Sequence, residues 1–354
     1  MPPSNCRQVR VYYYSGWGGK VQEAEDYLAA QPTRDLSPGV ARPGDPELLR
    51  LARLDRDGDA QNLRAFAAMR HSAIAFLPIR IVGNWGLFDL YNLPPPINEE
   101  PWLVFIASRP GNLANEIDRL LAMIRSKGFR IFYWAYDEAS RTMPCFASGV
   151  APYLSVLIHD ETPLAPEVAQ ALDPSCLCIH KSWVANVLPF EYPIAEEADR
   201  KIVFLGSKVG MNDHRAKQIG FLQSRFKDAF VSMTDHSVGM DERGKFSQYK
   251  VHFCPEGQHF TTFGMRLTHT DRPFWTGCLG EVPVVEDSKW GGRLEELYQE
   301  GLICRYPHGD MHHLAQACEA ALECQFSQRL RIYEHFNTSE VIGVVAAQAI
   351  ADSK

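Results

Sequence analysis

The sequence contains no run of about 18 apolar residues, the length a membrane-spanning helix needs. Its opening, MPPSNCRQVR, also lacks the apolar centre of a secretory signal. Both absences lead to the expectation of a cytosolic chain with no membrane span. Positive charge is not in excess: 36 Lys and Arg against 43 Asp and Glu leave a formal charge of -7. Such a balance gives no general pull toward nucleic acid or anionic lipid, although it does not exclude a local basic groove. Two nucleotide fingerprints are missing as well. No GxGxxG follows a first strand and no GxxxxGK[ST] occurs, which withdraws support from nicotinamide dinucleotides and P-loop nucleotides. Repeats of the solenoid kind are absent. The nine cysteines are odd in number and scattered, so they read as reduced core thiols rather than a disulfide framework. Cys176 and Cys178 face the same way on a strand, but the neighbourhood offers no two further ligands for a metal.

What is present is a folded chain of 354 residues, 45% apolar and 22% charged, long enough for two domains. VRVYYY (9–14) reads as a first strand running into SGWGGK and a helix. HSAIAFLPIRIV and PWLVFIAS are continuous apolar runs, as strands buried on both faces tend to be. A helix over about 112–127 ends at Gly128, and RIFYWAY follows as a strand, completing one βαβ unit. LSVLIHD, APEVAQAL and CLCIH continue the alternation. PFEYPIAEEADR (189–200), with two prolines and no period, reads as a linker. A second alternation follows it: KIVFLGS, a helix over about 214–226, AFVSM, VHFCPEG, a helix across MRLTHTDRPFWTG, VPVVED and the RLEELYQEG helix. DMHHLAQACEAALECQ is a helix with Asp310 as its N-cap, and the chain from Glu340 onward is helical. Strands alternating with helices imply parallel sheets with helices on both faces. The expected organisation is a Rossmann-like domain over 1–190, a second over 191–335, and a C-terminal helix over 336–354.

In open α/β sheets, ligands bind beyond the carboxyl ends of the strands. In the second half those positions are Gly206 and Ser207, Pro255 to Gly257, and Glu286 to Ser288. Small or polar turns at helix N-termini present backbone N–H groups that suit a phosphate, and Arg215 and Arg266 are placed to add full positive charge. In the first half the glycines of SGWGGK, including Gly16, Gly18 and Gly19, follow the first strand, and Asp137 follows RIFYWAY. His308, His312 and His313 form a sequence cluster, but 312 and 313 are adjacent and point in different directions, so it reads as structural rather than as a metal site. Asp160, Glu161, His180 and Lys181 are strand-end groups on the first half.

GMRLTHTDRPFWTGCLGEVPVVED resembles the donor-binding segment of GT-B glycosyltransferases: an arginine-bearing helix, a glycine-containing turn, a buried Pro-Val strand and a carboxylate. It is similar to the exostosin pattern of S-x-R, then G-C-x-P-V and an acid, with Gly280 and Glu281 as two extra residues in the turn. A longer resemblance is to phage DNA β-glucosyltransferases, carried by RIFYWAYDE, LPFEYPIAEE, GSKVGMNDHRAKQIGFL and FGMRLTHTD. The resemblance implies a GT-B fold, two Rossmann-like parallel-sheet domains facing each other across a cleft. It also implies Asp137 as general base, Arg215 and Arg266 as a diphosphate clamp, and a small turn that lets the strand approach the sugar nucleotide. Where that family has a ribose-binding glutamate three residues after the second arginine, this chain has His269, so Asp271, Glu281 or Glu286 would substitute, Glu286 being preferred.

The activity so implied is inverting transfer of a glucose-like sugar from a UDP-sugar donor to an acceptor hydroxyl. No motif requires a divalent metal, and none excludes one. The acceptor implied by the phage resemblance is a hydroxymethylated pyrimidine in duplex DNA, flipped from the stack, which would place the protein in a host cytoplasm. The acidic balance speaks against DNA, and a polysaccharide or lipid-linked glycan acceptor stays open. So does a different class, a non-catalytic sugar-nucleotide-binding protein. An epimerase is disfavoured by the absent dinucleotide fingerprint.

Overall fold

The computed structural model of the chain describes residues 6–14, 62–63, 65–66, 68–82, 97–106, 117–135, 146–159, 164, 166–181, 184–206, 213–233, 246–255, 272–287 and 293–353. These residues divide into two compact units. The first holds those up to 181 together with 343–353, and the second holds 184–342.

The first unit carries β1 (Arg7–Tyr14), β2 (Ile74–Phe76), β3 (Arg80–Val82), β4 (Glu100–Ile106), β5 (Arg130–Trp134), β6 (Val156–His159) and β7 (Leu177–His180). All pair in parallel, in the order β2-β1-β4-β5-β6-β7. β3 pairs β1 further along than β2 does, so the expected single strand over 71–82 is broken into two around Leu77 to Ile79. Pro78 explains the break, because proline brings no N–H to the ladder. β4 and β5 are buried along nearly their whole length, consistent with cover on both faces. Helix α1 (Ile117–Ser126) stops where Gly128 takes a φ of 88°, a left-handed conformation that glycine adopts without strain. α2 (Pro166–Ala171) follows β6.

The second unit carries β8 (Asp199–Leu205), β9 (Phe230–Met233), β10 (Tyr249–Cys254), β11 (Val282–Glu286) and β12 (Cys304–Tyr306), again all parallel, in the order β12-β11-β10-β8-β9. Counted within the unit this is 2-1-3-4-5, a doubly wound sheet whose topological switch point lies between β8 and β10. Its helices are α3 (Asp213–Phe226), α4 (Arg272–Gly277), α5 (Arg293–Gln299), α6 (Met311–Glu323) and α7 (Phe326–Ser339). α6 packs on β8, β10, β11 and β12 and touches α3, while α4 packs on β10, β11 and α7. Both faces of the sheet are therefore covered. The expected α/β class, two successive Rossmann-like parallel sheets, is the architecture found. Among the described residues no helix is long and apolar enough to cross a membrane.

Three elements differ from expectation. β12 and α7 were not anticipated, and the stretch read as a linker, 189–200, is largely packed structure of the second unit. Phe190 N–H donates to Asn337 Oδ1 at 2.6 Å, Tyr333 Oη donates to the Tyr192 carbonyl at 2.7 Å, and Arg329 Nη1 donates to the Ala195 carbonyl at 3.0 Å. The segment is thus strapped along α7. Asn337 is buried and donates to the Cys278 and Tyr333 carbonyls, so its side chain is committed to the core.

The last helix, α8 (Ile342–Asp352), belongs with the first unit from Gly343 onward. A side chain at Gly343 would meet the Ala65 carbonyl oxygen at 2.5 Å, so glycine is what permits this close approach. At its other end, Arg7 reaches the Ile350 and Ala351 carbonyls and Arg130 reaches that of Ser353. Guanidinium groups there complement the negative end of the helix dipole. Glu100 holds both arginines, at 2.8 and 3.0 Å.

Candidate functional site

The carboxyl edge of the second sheet gathers side chains from three elements around one carboxylate. β11 ends on Glu286, which is fully buried. Its Oε1 lies 2.7 Å from His214 Nε2 and accepts from Gln218 Nε2 and from the Gly309 backbone N–H, both at 3.0 Å. His308 Nδ1 lies 2.9 Å from the same oxygen. Gln218 Nε2 also donates to Tyr306 Oη at 3.0 Å.

Each partner is there for a local reason. The buried stripe of α3 is Arg215, Gln218, Ile219 and Leu222, a helical spacing whose C-terminal half is apolar and whose N-terminal half is polar. The polar half lies at the end of the helix nearest the carboxyl edge. Gln218 stands one turn beyond His214, so both side chains project toward Glu286. β12 pairs with β11 so that Tyr306 stands opposite Glu286, and the turn after it places His308 and Gly309 over the strand end. Gly309 takes a φ of 75°, and the position of its absent side chain lies 3.8 Å from His214 Cε1. Asp310 then caps α6 by accepting from His313 N–H at 3.0 Å. The His214 and His308 rings stack, with centroids 4.5 Å apart and planes 27° apart.

Of the residues expected to bind the donor, Gly206, Arg215 and Glu286 are described, and all three lie at this edge or in the first turn of the helix behind it. Gly206 directly follows β8 and its N–H donates to the Met233 carbonyl at 3.0 Å. A side chain there would meet the Phe204 ring at 2.4 Å. Arg215 is buried rather than exposed on its helix. Asp137, Gly16, Gly18, Gly19, Ser207, Arg266 and Asp271 lie outside the described residues. On the first unit, His180 is exposed at the end of β7 beside the buried His159, with ring centroids 5.6 Å apart.

Glu281, another of the three acids expected as ribose ligands, stands at the opposite, amino end of β11. It is fully buried against His252, with 3.1 Å between Oε2 and Nδ1. Burial raises the Glu281 carboxyl well above the usual carboxylate range, partly offset by Arg329, and burial lowers His252 well below the usual imidazole value. The spacing would also fit an ion pair, but without solvent the neutral pair is favoured, with the carboxyl O–H donating to Nδ1. The small turn before β11 is likewise tightly packed within the second unit. Side chains at Gly277 and Gly280 would meet Phe336 at 2.4 Å and Ile194 at 2.5 Å. It lies at the amino edge, away from the end where ligands bind in such sheets.

His214, Gln218, His308 and Gly309 were not singled out together from the sequence. The spacing His214-x-x-x-Gln218 on a helix that follows a strand was the available signal. His308 was grouped with His312 and His313, but it turns back to Glu286, while His313 pairs with Asp310 at 2.7 Å.

No protein-family profile matches the sequence, and no curated protein matches it. Among solved structures, the chain is similar to an O-GlcNAc transferase from Thermobaculum terrenum, with a TM-score of 0.45 and 13% identity over 99% of this chain and 68% of that one. It is similar to a UDP-forming alpha,alpha-trehalose-phosphate synthase from Burkholderia vietnamiensis, with a TM-score of 0.44 and 10% identity over 98% and 99%. A third is UGT89C1 from Arabidopsis thaliana, with a TM-score of 0.41 and 10% identity over 98% and 92%.

Proposed function

We propose that the protein is a GT-B glycosyltransferase that moves a glucose-like sugar from a UDP-sugar to an acceptor hydroxyl with inversion. The observation that supports the reading is that Gly206 follows β8, buried Glu286 ends β11 and buried Arg215 stands in the first turn of α3, all toward the carboxyl edge of a doubly wound sheet. That edge is where such sheets take phosphorylated ligands. Arg215 and Arg266 bind the diphosphate and stabilise the charge that develops on it as the glycosidic bond breaks. Ser207 and the turn after β8 contribute N–H groups. Asp137 takes the proton from the acceptor hydroxyl as its oxygen attacks the anomeric carbon from the face opposite the leaving UDP.

For the acceptor, the reading follows the phage resemblance: a hydroxymethylated pyrimidine in duplex DNA. A glycan acceptor is the second reading, favoured by the formal charge of -7. Binding of plain duplex that falls steeply with added salt supports DNA, and none at low salt supports the glycan.

The test is a thermal-shift screen against UDP, GDP, CMP and their sugars, followed by turnover with the donor that binds. UDP and its glucose conjugate should raise the melting temperature, because a ligand bound only by the folded state stabilises it. Asp137→Asn should abolish transfer and keep the UDP shift, whereas Arg215→Ala should weaken the shift. Failure of every nucleotide to shift the protein would refute the reading.

A further inference from the structure

The group around Glu286 is more than a hydrogen-bonded anchor. His214 Nε2, His308 Nδ1 and a Glu286 carboxylate oxygen all lie within 4.8 Å of one another. Two imidazole nitrogens approach one oxygen at 2.7 and 2.9 Å while Gln218 and Gly309 also donate to it, each at 3.0 Å. A carboxylate oxygen has about two lone-pair sites, so four nitrogen neighbours exceed what it accepts as a hydrogen-bond acceptor alone. A positive ion shared by the three ligand atoms resolves the crowding.

From this geometry we infer that His214, Glu286 and His308 form a binding site for a divalent transition-metal ion of the zinc type. Two imidazoles and one carboxylate suit zinc and its neighbours rather than magnesium or calcium, which take oxygen ligands. Tetrahedral zinc with bonds of about 2.0–2.2 Å needs ligand atoms roughly 3.3–3.6 Å apart, so each histidine nitrogen and the carboxylate oxygen would separate by roughly 0.4–0.9 Å more. Gln218 and Gly309 then serve as the outer hydrogen bonds that fix the ligating carboxylate. Three protein ligands leave a coordination position open. The carboxylate is closed off from solvent, but the His214 and His308 side chains are 23% and 30% exposed, so the open position faces the histidine side. The site lies wholly within the second unit and shares Glu286 with the proposed donor edge, but it is argued from its own ligand geometry.

The experiment is a zinc titration of the full chain, stripped with a chelator and then placed in competition with a chromophoric chelator. One equivalent of zinc should bind, and cobalt(II) should bind in its place with the visible absorption of a low-coordinate site. Losing hydrogen-bond support around a ligand already costs 10–100-fold in affinity, so His214→Ala and His308→Ala, which remove a ligand, should each weaken binding by about 100-fold or more. The histidines are partly exposed, so these variants are chosen to fold, with circular dichroism as the check, and Glu286→Gln is the third arm. Absence of stoichiometric uptake by the wild-type chain, or uptake unchanged when both histidines are replaced, overturns the inference. UDP-induced thermal shifts on the metal-free protein report on the donor site separately.

Discussion

Glu281 precedes and Glu286 ends the five-residue strand β11, and both are fully buried, yet their surroundings differ in kind. Glu281, which feels the Arg329 charge, meets a histidine that is itself sealed beside Trp275 and Phe246. Among the described residues, His252 Nε2 and Glu281 Oε1 have no hydrogen-bond partner. Glu286 meets two histidines that reach solvent, a backbone N–H from a glycine turn and an amide from the first turns of α3. Burial of a carboxylate is therefore no sign of function by itself. What separates the two is the end of the sheet on which each stands and whether its partners open outward.

The largest effect that would break this contrast is on Glu281. Glu281→Ala leaves a cavity and strips the buried His252 of its hydrogen bond, so it should cost about 2–5 kcal/mol of stability. Nucleotide and zinc binding by the molecules that remain folded should be unchanged. A urea titration paired with ligand binding checks this, and loss of ligand affinity without loss of stability would place function at the wrong end of the strand. Next in size is Gly277→Ala. The added methyl would overlap the Phe336 ring, and overpacking of this kind costs about 1–3 kcal/mol. The melting temperature should fall while the Glu286 side of the strand keeps its ligands.

A pH series sharpens the contrast further. The folded state holds the Glu281 pKa above its ordinary value, so the folded protein favours the protonated form. The stability linked to this group is complete below the unfolded value of 4.5 and is lost as pH rises from there through the folded value. Glu281→Gln keeps a donor for His252 and cannot ionise. Its stability relative to wild type should therefore rise with pH above 4.5, read from urea midpoints at about pH 5 and about pH 8. An ion pair would instead hold the Glu281 pKa below 4.5, so the difference from wild type would stay flat between pH 4.5 and 6.5. His252 contributes in the other direction: its lowered pKa means stability is lost as pH falls below 6.5.

The same contrast explains what could be read from the sequence. The sheets were legible because β4, β5, β10 and β11 are nearly continuous apolar runs, and Asp310 was legible as a cap from its position before a periodic stretch. α7 was not, because its buried stripe of Arg329, Ile332, Tyr333, Phe336 and Asn337 begins and ends on polar residues. Those residues are buried to receive the 190–195 strap and the turn at Cys278 to Gly280, partners far away in sequence. Glu286 was legible as a strand-end acid. Its histidines were not, since 72 and 22 residues separate them from it, and they meet it through the placement of α3 and the parallel pairing of β11 with β12.

The smallest effect tests whether the turn holding His308 is set by the cap behind it. Asp310 accepts the His313 backbone N–H and lies 2.7 Å from its ring, and these contacts depress the Asp310 pKa below 3.8, the backbone hydrogen bond first. A depressed carboxylate contributes stability above its unfolded value and loses it as pH falls through the folded one. Asp310→Ala should therefore lower the melting temperature slightly at neutral pH, and the gap from wild type should close below 3.8. Because the cap also fixes where Gly309 and His308 enter the site, zinc affinity should weaken at neutral pH by less than it does in His308→Ala. If the cap variant binds zinc as wild type does, the turn is held by Glu286 and β12 alone, and the carboxyl-edge cluster is more self-contained than its position before α6 suggests.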